Sequence, residues 1–146
     1  MRGMPSAERI IVIDRPPGEV FAFFTDPGND LKWRPHVKEV AAQGPAGVGS
    51  TIHQVLIGPG GRDLPADMEV VAYEPSKRYA FQVTAGPARP AGEFHFVPSG
   101  SGTEVRFSLN AELSGIKTLI MSKPVRRSMD DQMAALDTAK TLIERA

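Results

Sequence analysis

The chain has 146 residues, which suits one domain, expected over residues 1–146, with its own hydrophobic core. Its 17 basic and 17 acidic residues cancel, which argues against a nucleic-acid partner and against a strongly anionic membrane surface. The absence of cysteine excludes disulfides and thiolate chemistry. No apolar run approaches the roughly 20 residues that cross a bilayer, so no transmembrane segment is expected. The first apolar run ends at Asp14, too early for a signal peptide, and we expect a cytoplasmic protein.

The first part of the chain predicts a strand followed by two short helices. The β-branched segment ERIIVID is typical of a strand. In RPPGEVFAFFTDPG, Pro17 suits a first helical turn, and apolar residues recur at helical spacing up to Phe24. The Asp-Pro-Gly turn ends this helix, and the stretch from Asn29 to Arg34 predicts a second one, which stops before Pro35.

The middle of the chain changes to a period of two. Turn segments rich in glycine and proline, including GPGGRDLP, separate the periodic runs, and no helix intervenes. Regular spacing of this kind predicts sequential antiparallel pairing. Six further strands are expected, in HVKEVAA, GSTIHQVLIG, ADMEVVAYE, KRYAFQVTA, AGEFHFVP and GTEVRFSLNAEL.

The last segment, from about Ile116 to Ala146, returns to helical spacing, with Pro124 in its first turn or at a kink. Its apolar stripe consists of Val125, Met129, Met133, Leu136, Ala139 or Lys140, and Ile143. This long helix has to cover one face of a twisted seven-stranded antiparallel sheet. The sequence therefore predicts an α+β helix-grip fold, with a cavity where the straight helix and the curved sheet separate.

This order of elements resembles the START-like (SRPBCC) superfamily, and in particular its polyketide cyclase/dehydrase-like branch. The stretches that carry the resemblance are IVIDRPPGEVFAFFTDPGNDLKWRP, GVGSTIHQ, EVVAYEPSKRYAF and GEFHFVPSGSGTEV. The resemblance implies an internal hydrophobic cavity for a lipid-like, aromatic or polyketide ligand, with catalysis in only some members. It also implies that Trp33 packs near the edge of the cavity, either as a core plug or in contact with ligand.

Strand alternation selects the side chains that face the expected cavity. In GEFHFVP, for example, two phenylalanines share one face and His95 takes the other. Such residues are equally typical of a plain core, and the resemblance favours a cavity wall. The candidate ligand-binding residues are Trp33, Ile52, Gln54, Leu56, Tyr79, Phe81, Phe94, Phe96 and Phe107 from the sheet side, with Met129 and Met133 from the helix.

Gln54 is the polar residue on this inward face, which places His53 outside unless the register slips by one residue. A buried amide needs partners, and the backbone, water or a ligand carbonyl could each provide them. The three histidines have no metal-binding spacing, so no metal and no cofactor are expected.

The sequence is compatible with three functions. The first is the binding of a small hydrophobic ligand between the sheet and the C-terminal helix. The alternative is a polyketide aromatase/cyclase-type enzyme, for which the sequence offers only scattered acid/base candidates, namely Gln54, His36 and Tyr79. No catalytic residue is assigned. The third is a groove that holds a partner's helix or tail, and a homodimer also remains open.

Overall fold

The structure is a computed structural model that describes residues 5–86, 88–113 and 116–146, apart from the side chains at positions 59, 116–119 and 121. Within these residues the chain forms eight strands and three α-helices. In chain order they are β1 (Ser6–Ile13), α1 (Pro17–Thr25), α2 (Asp30–Trp33), β2 (Val37–Gln43), β3 (Thr51–Ile57), β4 (Asp63–Pro65), β5 (Met68–Glu74), β6 (Arg78–Val83), β7 (Ala91–Ser99), β8 (Gly102–Asn110) and α3 (Ile116–Arg145).

The strands form one antiparallel sheet in the order β1-β8-β7-β6-β5-β3-β2. Seven of them are the strands that the sequence predicts, which confirms the predicted helix-grip fold. The eighth strand, β4, pairs with β3 and lies wholly within the segment GPGGRDLP that we interpreted as a turn. Its three residues are too few to display a period of two.

The sheet is curled into a half-barrel. Register shifts interrupt β2 between Val37 and Glu39 and β5 between Val70 and Ala72, and irregularities of this kind increase the local twist of a strand. The concave face carries the core. On β7 the residues at 92, 94 and 96 are buried while their neighbours at 93 and 95 are half-buried, as alternation requires.

The long helix α3 lies on this face with its predicted apolar stripe inward. Leu136 and Ala139 are fully buried, and the other members of the stripe from Val125 to Ile143 are nearly so. Pro124 lies inside the helix and not in its first turn. Within the described part of the chain, no helix combines the length and the hydropathy that crossing a membrane requires.

Polar side chains fix α3 against β1. Arg9 donates through Nη1 to the carbonyl of Met133 at 2.9 Å and pairs with Asp137. Lys140 donates to the carbonyl of Val12, and Glu144 accepts from the backbone N–H of Asp14 at 2.8 Å. The helix is therefore attached along the first strand of the sheet.

The two short helices close one end of the sheet. Helix α1 begins at Pro17 and buries its apolar face, which ends at Phe24. After it, the Asp26 side chain accepts from the N–H of Gly28 at 3.0 Å, and Asn29 donates to the carbonyl of Phe23 at 3.0 Å. These turn bonds orient α2 so that Asp30 and Trp33 point inward and are buried.

Candidate functional site

The space beneath α1 and α2 is filled mainly by aromatic rings. Phe94 stacks on Phe107 with ring centroids 4.1 Å apart, and the ring of Phe24 lies 4.8 Å from that of Phe94. Trp33 meets Phe24 edge to face at 5.4 Å. Contacts of this type stabilise a core beyond the area that they bury. Trp33 is therefore a core residue inserted from α2, at the closed end of the sheet.

Two adjacent small cavities lie within the part of the chain that the structure describes, the first of them among these rings. The first has a volume of about 20 Å³, close to the space of one water molecule. The second has about 50 Å³ and lies towards β2, β3 and the loop between them. Pro27, Ile52 and Tyr79 line both cavities and form the wall between them.

The interior is thus much fuller than the ligand-sized cavity that the sequence led us to expect. Pockets for small molecules usually measure roughly 300–1,000 Å³. Here the Phe81 ring lies directly over Gly92 of the neighbouring strand. Any side chain at position 92 would overlap this ring. A larger cavity therefore requires the rings of this interior to change position.

A buried polar cluster borders the first cavity. Arg34, just after α2, pairs through Nη1 with the Asp30 carboxylate at 3.2 Å, and side-chain exposure is only 11% and 9%, respectively. The same Nη1 donates to Oε1 of Gln54, and Nε2 of Gln54 donates to the carbonyl of Ala66 at 2.9 Å. Both ends of the Gln54 amide are therefore engaged by the protein.

Burial shifts the pKa values of the acidic and basic groups here. Removal from water raises the pKa of Asp30, although the Arg34 guanidinium opposes this shift. Burial also lowers the pKa of Arg34, against the effect of Asp30. The pKa of Tyr79 is raised, first by burial and second by the negative charge of Asp30. The three groups are thus coupled across the first cavity.

Among the described residues of the site, two N–H groups make no hydrogen bond. They are Nε1 of Trp33 and Nε of Arg34, and both are buried. The Trp33 N–H is near enough to Asp30 to help lower the carboxyl pKa, but the two groups do not meet hydrogen-bond geometry. A buried donor without an acceptor costs about 1–3 kcal/mol. A ligand with a hydrogen-bond acceptor at the edge of the first cavity would remove this cost.

The structure brings together only part of the predicted site. Six of the predicted residues line the first cavity, namely Trp33, Ile52, Tyr79, Phe81, Phe94 and Phe107. Gln54 is buried beside it and His53 is half-exposed, as the predicted register requires. Phe96, Met129 and Met133 are buried in the core, and Leu56 is partly buried. Of the α3 side chains that the structure describes, Gln132 alone borders the first cavity.

The histidines lie outside the interior and pair with carboxylates. His36 is half-exposed, and its Nε2 lies 3.2 Å from Oδ2 of Asp131 in α3. His36 does not line either of the two cavities described above. His95 contacts Glu93 on the outer face of β7. Among the residues that the structure describes, no group of three metal-ligating side chains converges.

Sequence reasoning did not identify Asp30 and Arg34 as site residues. Their four-residue spacing on a helix, with Trp33 inside it, is the signal that could have indicated a buried pair. Charged residues are seldom buried, and the same spacing is typical of an exposed ion pair. Only the docking of α2 decides between these two outcomes.

Comparison with known sequence families shows the family to which the chain belongs. Residues 4–140 match the sequence model of the family described as polyketide cyclase / dehydrase and lipid transport. The chain therefore belongs to this family. None of the curated proteins with which it was compared matches it.

Solved structures share the fold at low sequence identity. TTHA0849 from Thermus thermophilus is 20% identical, with a TM-score of 0.78 over 95% of this chain and 97% of that one. Ara h 8.0201 is 12% identical, with a TM-score of 0.75 over 99% of this chain and 100% of that one. The di-domain ARO/CYC StfQ from the steffimycin biosynthetic pathway is 14% identical, with a TM-score of 0.81 over 97% of this chain and 52% of that one. These similarities concern the fold.

Proposed function

We propose that the chain binds a small hydrophobic ligand, which is lipid-like, aromatic or a polyketide, between the sheet and α3. The observation that carries the proposal is the pair of adjacent cavities, the first of them walled largely by aromatic rings, which Pro27, Ile52 and Tyr79 divide. Movement of the Tyr79 ring out of this wall would join them. The family's association with lipid transport and polyketide chemistry supports the same function.

The proposal requires an interior that rearranges when the ligand enters. Rings are suited to this because each can turn about two side-chain torsions without breaking a hydrogen bond. The ligand then replaces ring–ring contacts with ring–ligand contacts of similar energy. We place this activity in the cytoplasm. We expect no nucleic-acid partner, because the net charge of the chain is zero.

The test is uptake of a neutral fluorescent probe, N-phenyl-1-naphthylamine, by the purified protein. Ile52→Phe adds volume to the shared wall and should reduce uptake at least severalfold. Val97→Phe is the matched control, because Val97 is half-exposed on the outer face of β7. Equal uptake by both variants and the native protein would place the probe outside the interior and contradict the proposal.

An enzyme of the cyclase type is the second candidate. The observation that favours it is the convergence of Asp30, Arg34 and Tyr79 on one cavity, since shifted pKa values gather at catalytic sites. Mass spectrometry of a co-purified ligand before and after incubation separates the two functions. An unchanged ligand supports a binder, whereas a cyclised or dehydrated product supports an enzyme.

A further inference from the structure

We infer that the edge of the first cavity is a hydrogen-bonding subsite that selects neutral ligands bearing a carbonyl or similar acceptor over carboxylates. The inference rests on the proposed function, because it specifies which hydrophobic ligands the interior accepts. It is carried by the N–H groups of Trp33 and Arg34 and by the position of Asp30.

Two donors border the first cavity. Nε1 of Trp33 and Nε of Arg34 belong to consecutive residues whose side chains both line the first cavity. Neither nitrogen makes a hydrogen bond with good geometry to a protein acceptor, although Nε1 of Trp33 lies near the Asp30 carboxylate, and both nitrogens are buried. The neighbouring Gln54 Oε1 accepts from Nη1 of Arg34 and not from either of these two nitrogens. An acceptor on a ligand would therefore satisfy donors that the fold leaves without partners.

The charge of Asp30 disfavours an anionic ligand at this subsite. Arg34 alone would attract a carboxylate, because guanidinium and carboxylate groups pair strongly. Here Asp30 occupies that role at 3.2 Å, and both side chains are about nine-tenths buried. A ligand carboxylate would bring a second negative charge beside Asp30 in a poorly solvated site, which is unfavourable. A ketone, aldehyde, ester or amide oxygen accepts the same hydrogen bonds without that repulsion.

The rest of the cavity wall favours an apolar, planar ligand body. The remaining lining of the cavity is apolar, with Phe81, Phe94 and Phe107 as its principal walls. Planar groups pack favourably against such rings. The subsite therefore suits an aromatic or conjugated skeleton with its acceptor directed towards α2.

The experiment uses three probes with one skeleton, namely 2-acetylnaphthalene, 2-ethylnaphthalene and 2-naphthoate, titrated calorimetrically at pH 7 into the native protein. We expect the ketone to bind about tenfold more tightly than the hydrocarbon, as one or two satisfied hydrogen bonds would produce. The carboxylate should bind more weakly than the ketone. Because the hydrocarbon has no acceptor, its binding tests the apolar interior separately.

Two variants test the donors and the charge of this subsite. Trp33→Phe removes one donor and keeps a ring, so the ratio of ketone to hydrocarbon affinity should fall severalfold. Asp30→Asn removes the negative charge, so the ratio of carboxylate to ketone affinity should rise about tenfold. Hydrocarbon binding and circular dichroism verify that each variant is folded. If Asp30→Asn does not fold, the affinity ratios of the native protein and of Trp33→Phe test the subsite.

The outcomes are distinguishable. Equal affinity for ketone and hydrocarbon overturns the subsite and leaves hydrophobic binding intact. A native preference for the carboxylate overturns the selection of neutral ligands, as does a folded Asp30→Asn protein with an unchanged carboxylate ratio. If none of the three probes binds, the proposed function itself is contradicted and the inference fails with it.

Discussion

Gly92 provides the strongest test of how the interior is packed. It lies in β7 opposite Phe81, at an inward position where the neighbouring inward residues are large aromatics. A Cβ at this position would lie 2.2 Å from Cζ of Phe81 and 2.6 and 2.8 Å from its two Cε atoms. Carbon atoms in contact are about 3.5–4.0 Å apart, so Gly92→Ala has to displace the ring edge by about 1.3 Å.

The expected cost follows from this displacement. Overpacking of a core costs about 1–3 kcal/mol, and the lower backbone entropy of alanine returns about 0.5–1 kcal/mol. We therefore expect Gly92→Ala to lower the free energy of unfolding by about 1–2 kcal/mol. For a chain of this size, that corresponds to a fall in Tm of about 3–6 °C.

Urea denaturation, monitored by circular dichroism, measures this cost in the native protein and in a Phe81→Leu variant. Phe81→Leu removes all three ring atoms that the new methyl group would meet, so Gly92→Ala should cost little in that background. Gly18→Ala is the control within α1, because its Cβ has an ordinary contact, 3.7 Å from Oγ of Ser76. An equal cost of Gly92→Ala with Phe81 and with Leu at position 81 would refute the packing argument.

Two further predictions concern charged groups. Asp30→Asn leaves Arg34 buried without its charge partner and should cost about 3–5 kcal/mol, whereas Asp131→Asn, in a half-exposed pair, should cost less than about 1 kcal/mol. Urea denaturation compares the two, and equal costs would show that burial does not matter. Hydrogen bonds from Arg78 lower the pKa of Glu93 below 4.5, so the stabilisation by its charge is present above that pH and is lost as pH falls through the folded-state pKa. Glu93→Gln should therefore reduce the loss of Tm between about pH 5 and pH 3, and an unchanged acid profile would contradict this assignment.

The strands were predictable because each has one buried face. Alternation predicts that Phe94 and Phe96 point inward from β7 and that Gln54 points inward from β3, and the structure places all three inside. These assignments depend only on a period of two and on the presence of a core. The stripe of α3 was predictable from its helical period for the same reason.

The candidate site was less predictable because it depends on docking between distant segments. Asp30 and Arg34 read as surface charges until α2 is placed against the sheet. The volume of the interior depends on where individual rings lie, and the position of Phe81 over Gly92 decides much of it. Periodicity identifies the wall-forming residues, but it carries no information on whether their side chains leave space or fill it.

The attachment of β1 to both β8 and α3 has a consequence for synthesis on the ribosome. Among the described strands β1 pairs with β8 alone, so it has no neighbour in the sheet until β8 has been translated. Contacts that are so distant along a sequence slow folding. During that interval the aromatic face of the nascent sheet is uncovered, and a chaperone that shields apolar surfaces has its opportunity to act before α3 is complete.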